Sequence, residues 1–196
     1  RDRGLDELHA AEAAPLIEAL RPDGSLPQVF FAIENQANLT RQFAKGAARL
    51  QAVLDRISAA PAGSVEASTW GGYETIVGEL QLRAGDATAA RKNLVSARDR
   101  IEAKLVDEPE NFIALLYLSR AYAALGDRDA AIKTIDRAIA QTPASADALY
   151  GPLLEDRRAR IQVHFGETDA PIATLTRLLK VNYANAITVA QMRVDP

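Results

Sequence analysis

The sequence predicts an all-α chain, an α-α superhelix of about four stacked helical hairpins with an N-terminal helix and a short C-terminal helix. Three observations predict it. The stretch Leu115 to Pro143, LLYLSRAYAALGDRDAAIKTIDRAIAQTP, sets apolar residues at helical spacing on both sides of a Gly-Asp pair. That arrangement recurs, with turn residues Arg41, Gly85, Gly126 and Gly166 standing 44, 41 and 40 residues apart. No segment shows the alternating β-branched pattern of a strand. A lone helical pair leaves apolar faces open to water, so recurring pairs imply a stack whose business is holding another molecule.

The elements follow in order. Leu5, Leu8, Ala11, Leu16 and Leu20 give an N-terminal helix over about 4–20, with Pro15 able to kink it. The first hairpin, VFFAIENQANLTRQFAKGAARLQAVL from Val29 to Leu54, has Arg41 where the other turns have glycine, yet keeps Phe43, Gly46, Leu50 and Val53 in register. The connector AAPAGS, Ala59 to Ser64, is flexible by composition. The second hairpin turns at Gly85-Asp86. Its second helix carries Ala90, Leu94, Ala97 and Ile101 and runs on past Leu105 and Val106 until Pro109 stops it. A helix from Ala87 to Asp107 is about 30 Å long and should overhang its neighbours. Glu74 and Gln81 stand in this hairpin where the family resemblance given below implies large apolar residues.

The third hairpin is the best formed. Gly126 suits the left-handed position that ends a helix, and Asp127 suits the N-cap of the next. The fourth, HFGETDAPIATLTRLL from His164 to Leu179, turns at Gly166 and offers Ile172, Leu175 and Leu178 as its second-helix core. Pro171 is tolerated only in a first turn, which puts the helix start near Thr168. The whole reads as one domain over 1–196, with repeats of about 27–60, 65–108, 111–144 and 146–181.

Composition narrows the function classes. The chain has 196 residues, 48% hydrophobic but only 6% aromatic, so Ala and Leu do most of the packing, as close helix contacts require. Net charge is −3, which argues against a general polyanion binder. With no cysteine there is no disulfide, thiol nucleophile or cysteine metal site. No apolar run reaches the roughly 20 residues of a membrane span. The sequence begins at Arg1, as expected of a piece of a longer chain, so the lack of a visible leader leaves the compartment open.

Leu115, Leu118, Tyr122, Gly126, Ala131, Ile135, Ala138 and Pro143 stand at the spacings of a tetratricopeptide (TPR) repeat, and the chain resembles that family from about Val29 to Leu179. From Tyr150, YGPLLEDRRARIQVHFGE and then VNYANAITVAQMRVDP resemble the closing repeats of large bacterial regulators with C-terminal TPR arrays. There a Gly-Pro precedes a helix ending in Leu-Gly-Glu or similar, and a Leu-Arg-Leu-Asp-Pro-like tail follows. Gly151, Pro152, Gly166, Glu167, Met192, Arg193, Val194, Asp195 and Pro196 fill those places. Arg158 and Gln162 depart from the Leu and Tyr usual there. The resemblance implies a parent protein with a winged-helix, nucleotide cyclase or protein kinase domain.

Little in the chain suggests catalysis. The two histidines, His9 and His164, have no second histidine at metal spacing. His164 lies in a last helical turn, where the helix dipole favours an imidazole. P-loop, dinucleotide and nucleophile-elbow signatures are missing. Glu155 and Asp156 are adjacent on a helix and diverge by about 100°, which is not an acid–base pair. The cluster Arg91, Lys92, Arg98, Arg100 and Lys104 reads as a solvated face with intrahelical partners. Arg157, Arg158 and Arg160 lack the interleaved aromatics of a nucleic-acid site. No cofactor or metal is expected, and the Asn38-Leu39-Thr40 sequon falls inside a helix.

The resemblance implies instead a concave groove lined by the first helix of each hairpin, binding an extended peptide or a partner helix. Transferred by register, its residues are Phe31, Asn35 and Asn38 from the first hairpin and Thr75, Glu79 and Arg83 from the second. Leu116 and Arg120 come from the third, Asp156 and Arg160 from the fourth. Asparagines suit a peptide backbone, and Arg120 or Arg160 a carboxylate. The family's clamp for a terminal carboxylate needs Lys where Phe31 stands, so a chaperone-tail binder is not expected. Trp70 and Tyr73, beside Gly71 and Gly72, read as packing between repeats, with an exposed anchor as the alternative. Three functions fit: an interaction module of a larger bacterial regulator, a standalone adaptor or assembly factor, and a small-ligand sensor. The first is preferred, with a protein partner, no nucleic acid and no set oligomeric state.

Overall fold

The computed structural model describes residues 15–16, 27–58 and 71–184. Among them are eight helices and no strand: α1 (Pro27–Thr40), α2 (Phe43–Ser58), α3 (Gly72–Arg83), α4 (Ala87–Asp107), α5 (Phe112–Ala124), α6 (Arg128–Gln141), α7 (Gly151–His164) and α8 (Asp169–Leu178). Pro15 and Leu16 are helical. The rest of the expected N-terminal helix, the AAPAGS connector, His9, Trp70 and the closing helix and tail lie outside the described residues.

The turns follow from backbone sterics. Gly85, Gly126 and Gly166 take φ of +85°, +87° and +86°, the left-handed region where a Cβ is penalised. Each makes the same pair of bonds. Gly85 N–H donates to the Leu82 carbonyl and Asp86 N–H to that of Gln81; Gly126 and Asp127 donate to Ala123 and Tyr122, and Gly166 and Glu167 to Val163 and Gln162. This is the Schellman ending, which satisfies carbonyls the helix itself leaves unpaired. Asp86 and Asp127 then act again as N-caps, accepting from Ala89 N–H at 3.0 Å and Ala130 N–H at 3.1 Å. Thr168 occupies the N-cap of α8 but makes no side-chain capping bond. Pro171 sits in that helix's first turn, as expected.

Counting from each turn residue recovers one packing register. Nine residues on stand Leu50, Leu94, Ile135 and Leu175, and twelve on stand Val53, Ala97, Ala138 and Leu178, all buried. Five on stand Gly46, Ala90, Ala131 and Pro171, also buried, and seven before stand Glu34, Gly78, Ser119 and Ala159. These small residues let the two helices of a hairpin cross closely. A Cβ added to Gly78 would lie 2.6 Å from Leu94 Cγ and 3.3 Å from the Ala90 carbonyl. In the first hairpin the large Glu34 takes the place of Gly78, and the close approach is between Gly46 and Ala37. Ile172 is exposed instead of forming part of the α8 core, because Pro171 takes the inward position one residue earlier.

The hairpins abut in chain order: α2 packs on α3, α4 on α5 and α6 on α7. First helices also pack on one another, α1 on α3, α3 on α5 and α5 on α7. Phe30, Ile33, Leu50, Ile76, Leu80, Ile101 and Leu118 form one apolar core. Leu115, Ile135, Leu154, Leu175 and Leu178 belong to the next, and α5 contributes to both. Each such side chain contributes about 1.5–3 kcal/mol on burial. Tyr73 stacks on Phe30 with centroids 4.3 Å apart, joining the first two hairpins.

Polar residues at apolar places are accommodated by pairing across helices. Gln81 of α3 donates to Gln51 of α2 at 3.3 Å, and Asn93 of α4 donates to Gln51 at 2.7 Å and to Gln81 at 2.9 Å. Glu74 accepts from Ser96 at 3.1 Å and Arg100 at 3.3 Å, leaving its second oxygen buried and unpaired. Arg158 reaches Asp136 at 2.6 Å and Gln162 at 2.9 Å. The α4 overhang exposes Val106, 80% accessible, and is tied down where Lys104 and Asn111 donate to Glu108. Asn111 also caps α5 through Ala114 N–H at 2.9 Å.

Candidate functional site

Eight of the ten residues expected to line a groove, all but Asn38 and Arg83, fall into two register rows. Ten before each turn residue stand Phe31, Thr75, Leu116 and Asp156; six before stand Asn35, Glu79, Arg120 and Arg160. One helical turn separates the rows, so both share a face of the first helices. The structure treats them differently.

The first row is largely core. Thr75 is fully buried and donates to the Gly71 carbonyl at 3.0 Å, Leu116 packs in the apolar cluster that α7 completes, and Asp156 is 0% exposed. These three are corrected from groove residues to packing residues, because packing of first helix on first helix covers them. Phe31 is half-buried against the core.

The second row reaches solvent and carries charge. Asn35 is exposed. Arg120 of α5 grips Glu79 of α3 with two parallel bonds, Nε to Oε1 at 3.0 Å and an amine to Oε2 at 2.5 Å, and reaches Glu34 of α1 at 3.2 Å. Its guanidinium carbon sits 5.0 Å from the Tyr117 ring centroid, a cation–π contact. Arg160 holds both oxygens of Asp156, at 3.0 and 3.2 Å. Arg83 donates to Asn38 at 2.6 Å, joining α3 to α1. Arg120 and Arg160 are therefore engaged with internal carboxylates instead of being held open for a ligand.

Burial and charge set the protonation of this cluster. Burial opposes the charged form of Glu79, but the Arg120 charge and hydrogen bond prevail and hold the carboxyl below its ordinary range. Burial likewise works against Arg120, and Glu79 and Glu34 outweigh it, raising its value. Tyr117 is pushed up to about 12, first by burial. Arg157, dismissed by sequence as part of a charge run, lies beside this group: burial and then the like charge of Arg120 push it below the arginine range. Its Nε is buried with no hydrogen-bond partner. A composition argument could not find it, since only the fold reveals which of three neighbouring arginines lacks an acceptor.

Other chemistry is sparse among the described residues. No group of three or more His, Asp or Glu is placed to hold a metal ion. His164 is exposed in the last turn of α7, its ring edge-on to Phe165 with centroids 4.9 Å apart. Arg98 pairs with Asp99, and Arg100 with Glu74. No described helix is long and apolar enough to cross a membrane.

The sequence profile described as Tetratricopeptide repeat matches residues 81–155, from the second turn through α4, α5 and α6 into α7. No curated protein and no solved structure matches the chain. The matched stretch is tetratricopeptide repeat, and helical hairpins of the same register stand on both sides of it.

Proposed function

We propose that the chain is a non-catalytic protein–protein interaction module that holds an extended peptide or partner helix along α1, α3, α5 and α7. We further propose that it forms the C-terminal part of a larger bacterial regulator. Repeats of this family are generally non-catalytic and bind proteins. The observation that carries the reading is the packing of first helix on first helix, which pairs Asn38 with Arg83 and Glu79 with Arg120 across neighbouring hairpins. The regulator context rests on the Gly151-Pro152 to Asp195-Pro196 resemblance.

The test compares faces. The double variant Phe31→Ala, Asn35→Arg alters the groove without cutting the Arg120 network. Arg91→Glu, Lys92→Glu alters exposed positions on α4 as a control. Quantitative pull-downs from source cells should lose a specific protein with the first and keep it with the second. Equal recovery by both refutes the groove. For the parent protein, deleting the array should leave the output domain's chemistry intact while uncoupling it from its signal; an intact signal response refutes the regulatory part.

A further inference from the structure

We propose that Arg120 is a cross-brace that locks the first three hairpins into one segment of fixed curvature, by tying α5 directly to α1 across α3. The brace is internal to the chain and needs no occupant on this face. Hairpins stacked in a row ordinarily rest only on their neighbours. A small rotation between the first and second then adds freely to one between the second and third, and the curvature of the three is soft. A contact from the first hairpin to the third closes a loop of three bodies, so neither interface can rotate unless the other compensates. The contact of Arg120 with Glu34 is of this kind. α3 packs on both α1 and α5, yet an Arg120 amine reaches past it and donates to the Glu34 carboxylate at 3.2 Å.

A brace resists bending only if its arm is stiff. The Arg120 guanidinium is already held by Glu79, which accepts from Nε at 3.0 Å and from an amine at 2.5 Å. The Tyr117 ring lies against it, 5.0 Å from the guanidinium carbon to the ring centroid. A planar fork fixed in this way loses little further freedom on meeting Glu34. Arg120 is only 11% accessible and both carboxylates are mostly covered, so salt and water weaken these pairs less than they would an exposed one. Arg83 adds a tie across the first interface, donating to Asn38 at 2.6 Å. The pairs of Arg128 with Glu167 and of Arg158 with Asp136 join the third hairpin to the fourth, its immediate neighbour, and skip nothing.

Distances between hairpins test the brace. The chain has no cysteine, so Ala52→Cys on α2 and Lys133→Cys on α6, both exposed positions, take the only two nitroxide labels. Double electron–electron resonance then reads the spread of distances between the first and third hairpins. With Glu34 in place the distribution should be single and narrow. Glu34→Met, which removes the acceptor and leaves the Arg120–Glu79 pair whole, should widen it about twofold, since the two interfaces then rotate independently. Glu34→Gln keeps an acceptor of the same length and should widen it less. A second label pair, Lys133→Cys with the exposed Ala173→Cys of α8, reports the third and fourth hairpins and should be unmoved by either change. An unaltered first distribution in Glu34→Met overturns the brace. Equal widening of both label pairs also overturns it, because the substitution has then loosened the whole array. Widening confined to the first pair, with Glu34→Gln between wild type and Glu34→Met, supports it.

Discussion

Replacing Arg41 by glycine should make the protein more stable. Arg41 occupies the turn of the first hairpin at φ +55°, in the left-handed region that the other three turns fill with glycine. An L-residue there costs about 1–2 kcal/mol, and glycine returns about 0.5–1 kcal/mol of that through its greater freedom when unfolded. The net gain is about 0.5–1 kcal/mol. Gln42 follows in the place where Asp86 and Asp127 cap their helices. Gln42→Asp adds about 0.5–1 kcal/mol more as an N-cap. The double variant installs the Gly-Asp hinge and should gain about 1–2 kcal/mol, which for a chain of this size is about 3–6 °C in Tm.

Far-UV circular dichroism melts, with urea titrations alongside, measure this directly. The reverse change supplies the control. Gly126 shares the conformation at φ +87°, and nothing lies within 4 Å of where its Cβ would be. Gly126→Arg therefore tests backbone strain without a clash and should cost about 1 kcal/mol. If Arg41→Gly lowers the midpoint, or Gly126→Arg leaves it unmoved, the shared turn geometry does not govern these hairpins.

Four further outcomes follow from the packing. Arg120→Met should destabilise by about 3 kcal/mol in urea titrations, because Glu34 and Glu79, 17% and 24% accessible, lose the cation that compensates them. Glu79 has a depressed folded pKa, so its contribution is present above the unfolded carboxylate value of about 4.3 and is lost as pH falls through the lower folded value. The stability gap between wild type and Glu79→Gln should accordingly be open at pH 7 and close well below pH 4.3. Glu74 has the opposite sign: burial raises its folded pKa above the unfolded value, so Glu74→Gln should stabilise at pH 7, with the gain fading as pH falls through the raised value. Gly78→Ala should lower Tm, since the Leu94 clash at 2.6 Å outweighs the roughly 1 kcal/mol of helix propensity that alanine brings.

Much of the fold was legible because turn chemistry and apolar spacing agree. Gly85 and Gly126 are followed by Asp, and this pair alone carries a helix stop and a helix start. The extent of α4, Ala87–Asp107, was readable from Ile101, Leu105 and the stop at Pro109. Glu74 and Gln81 read as defects, yet their partners Arg100, Asn93 and Gln51 lie 12 to 30 residues away, beyond what local periodicity can see. The groove residues were readable as a face but not as a surface. Spacing assigns Thr75 and Glu79 to one side of α3, whereas only the packing of α1 and α5 against it decides which is covered. At Ile172 spacing points one residue too far along, since Pro171 is both a helix-start signal and the inward small residue of its helix.

The charge cluster bears on what could occupy the inner face. In a solenoid each repeat ordinarily touches only its neighbours, and stability is close to a sum of nearest-neighbour terms. Arg120 breaks that pattern by reaching Glu34, 86 residues away and two hairpins back. At that level α1 and α5 approach within the reach of two side chains. An α-helix with side chains is about 10–12 Å across and would have to part this bridge to pass between them. An extended segment needs less room and can cross above the bridge, on the side where Asn35 is exposed. Of the two occupants consistent with the family, the internal bridge therefore favours the extended peptide. In the proposed groove these ion pairs would act less as ligand-binding groups than as a floor beneath the peptide.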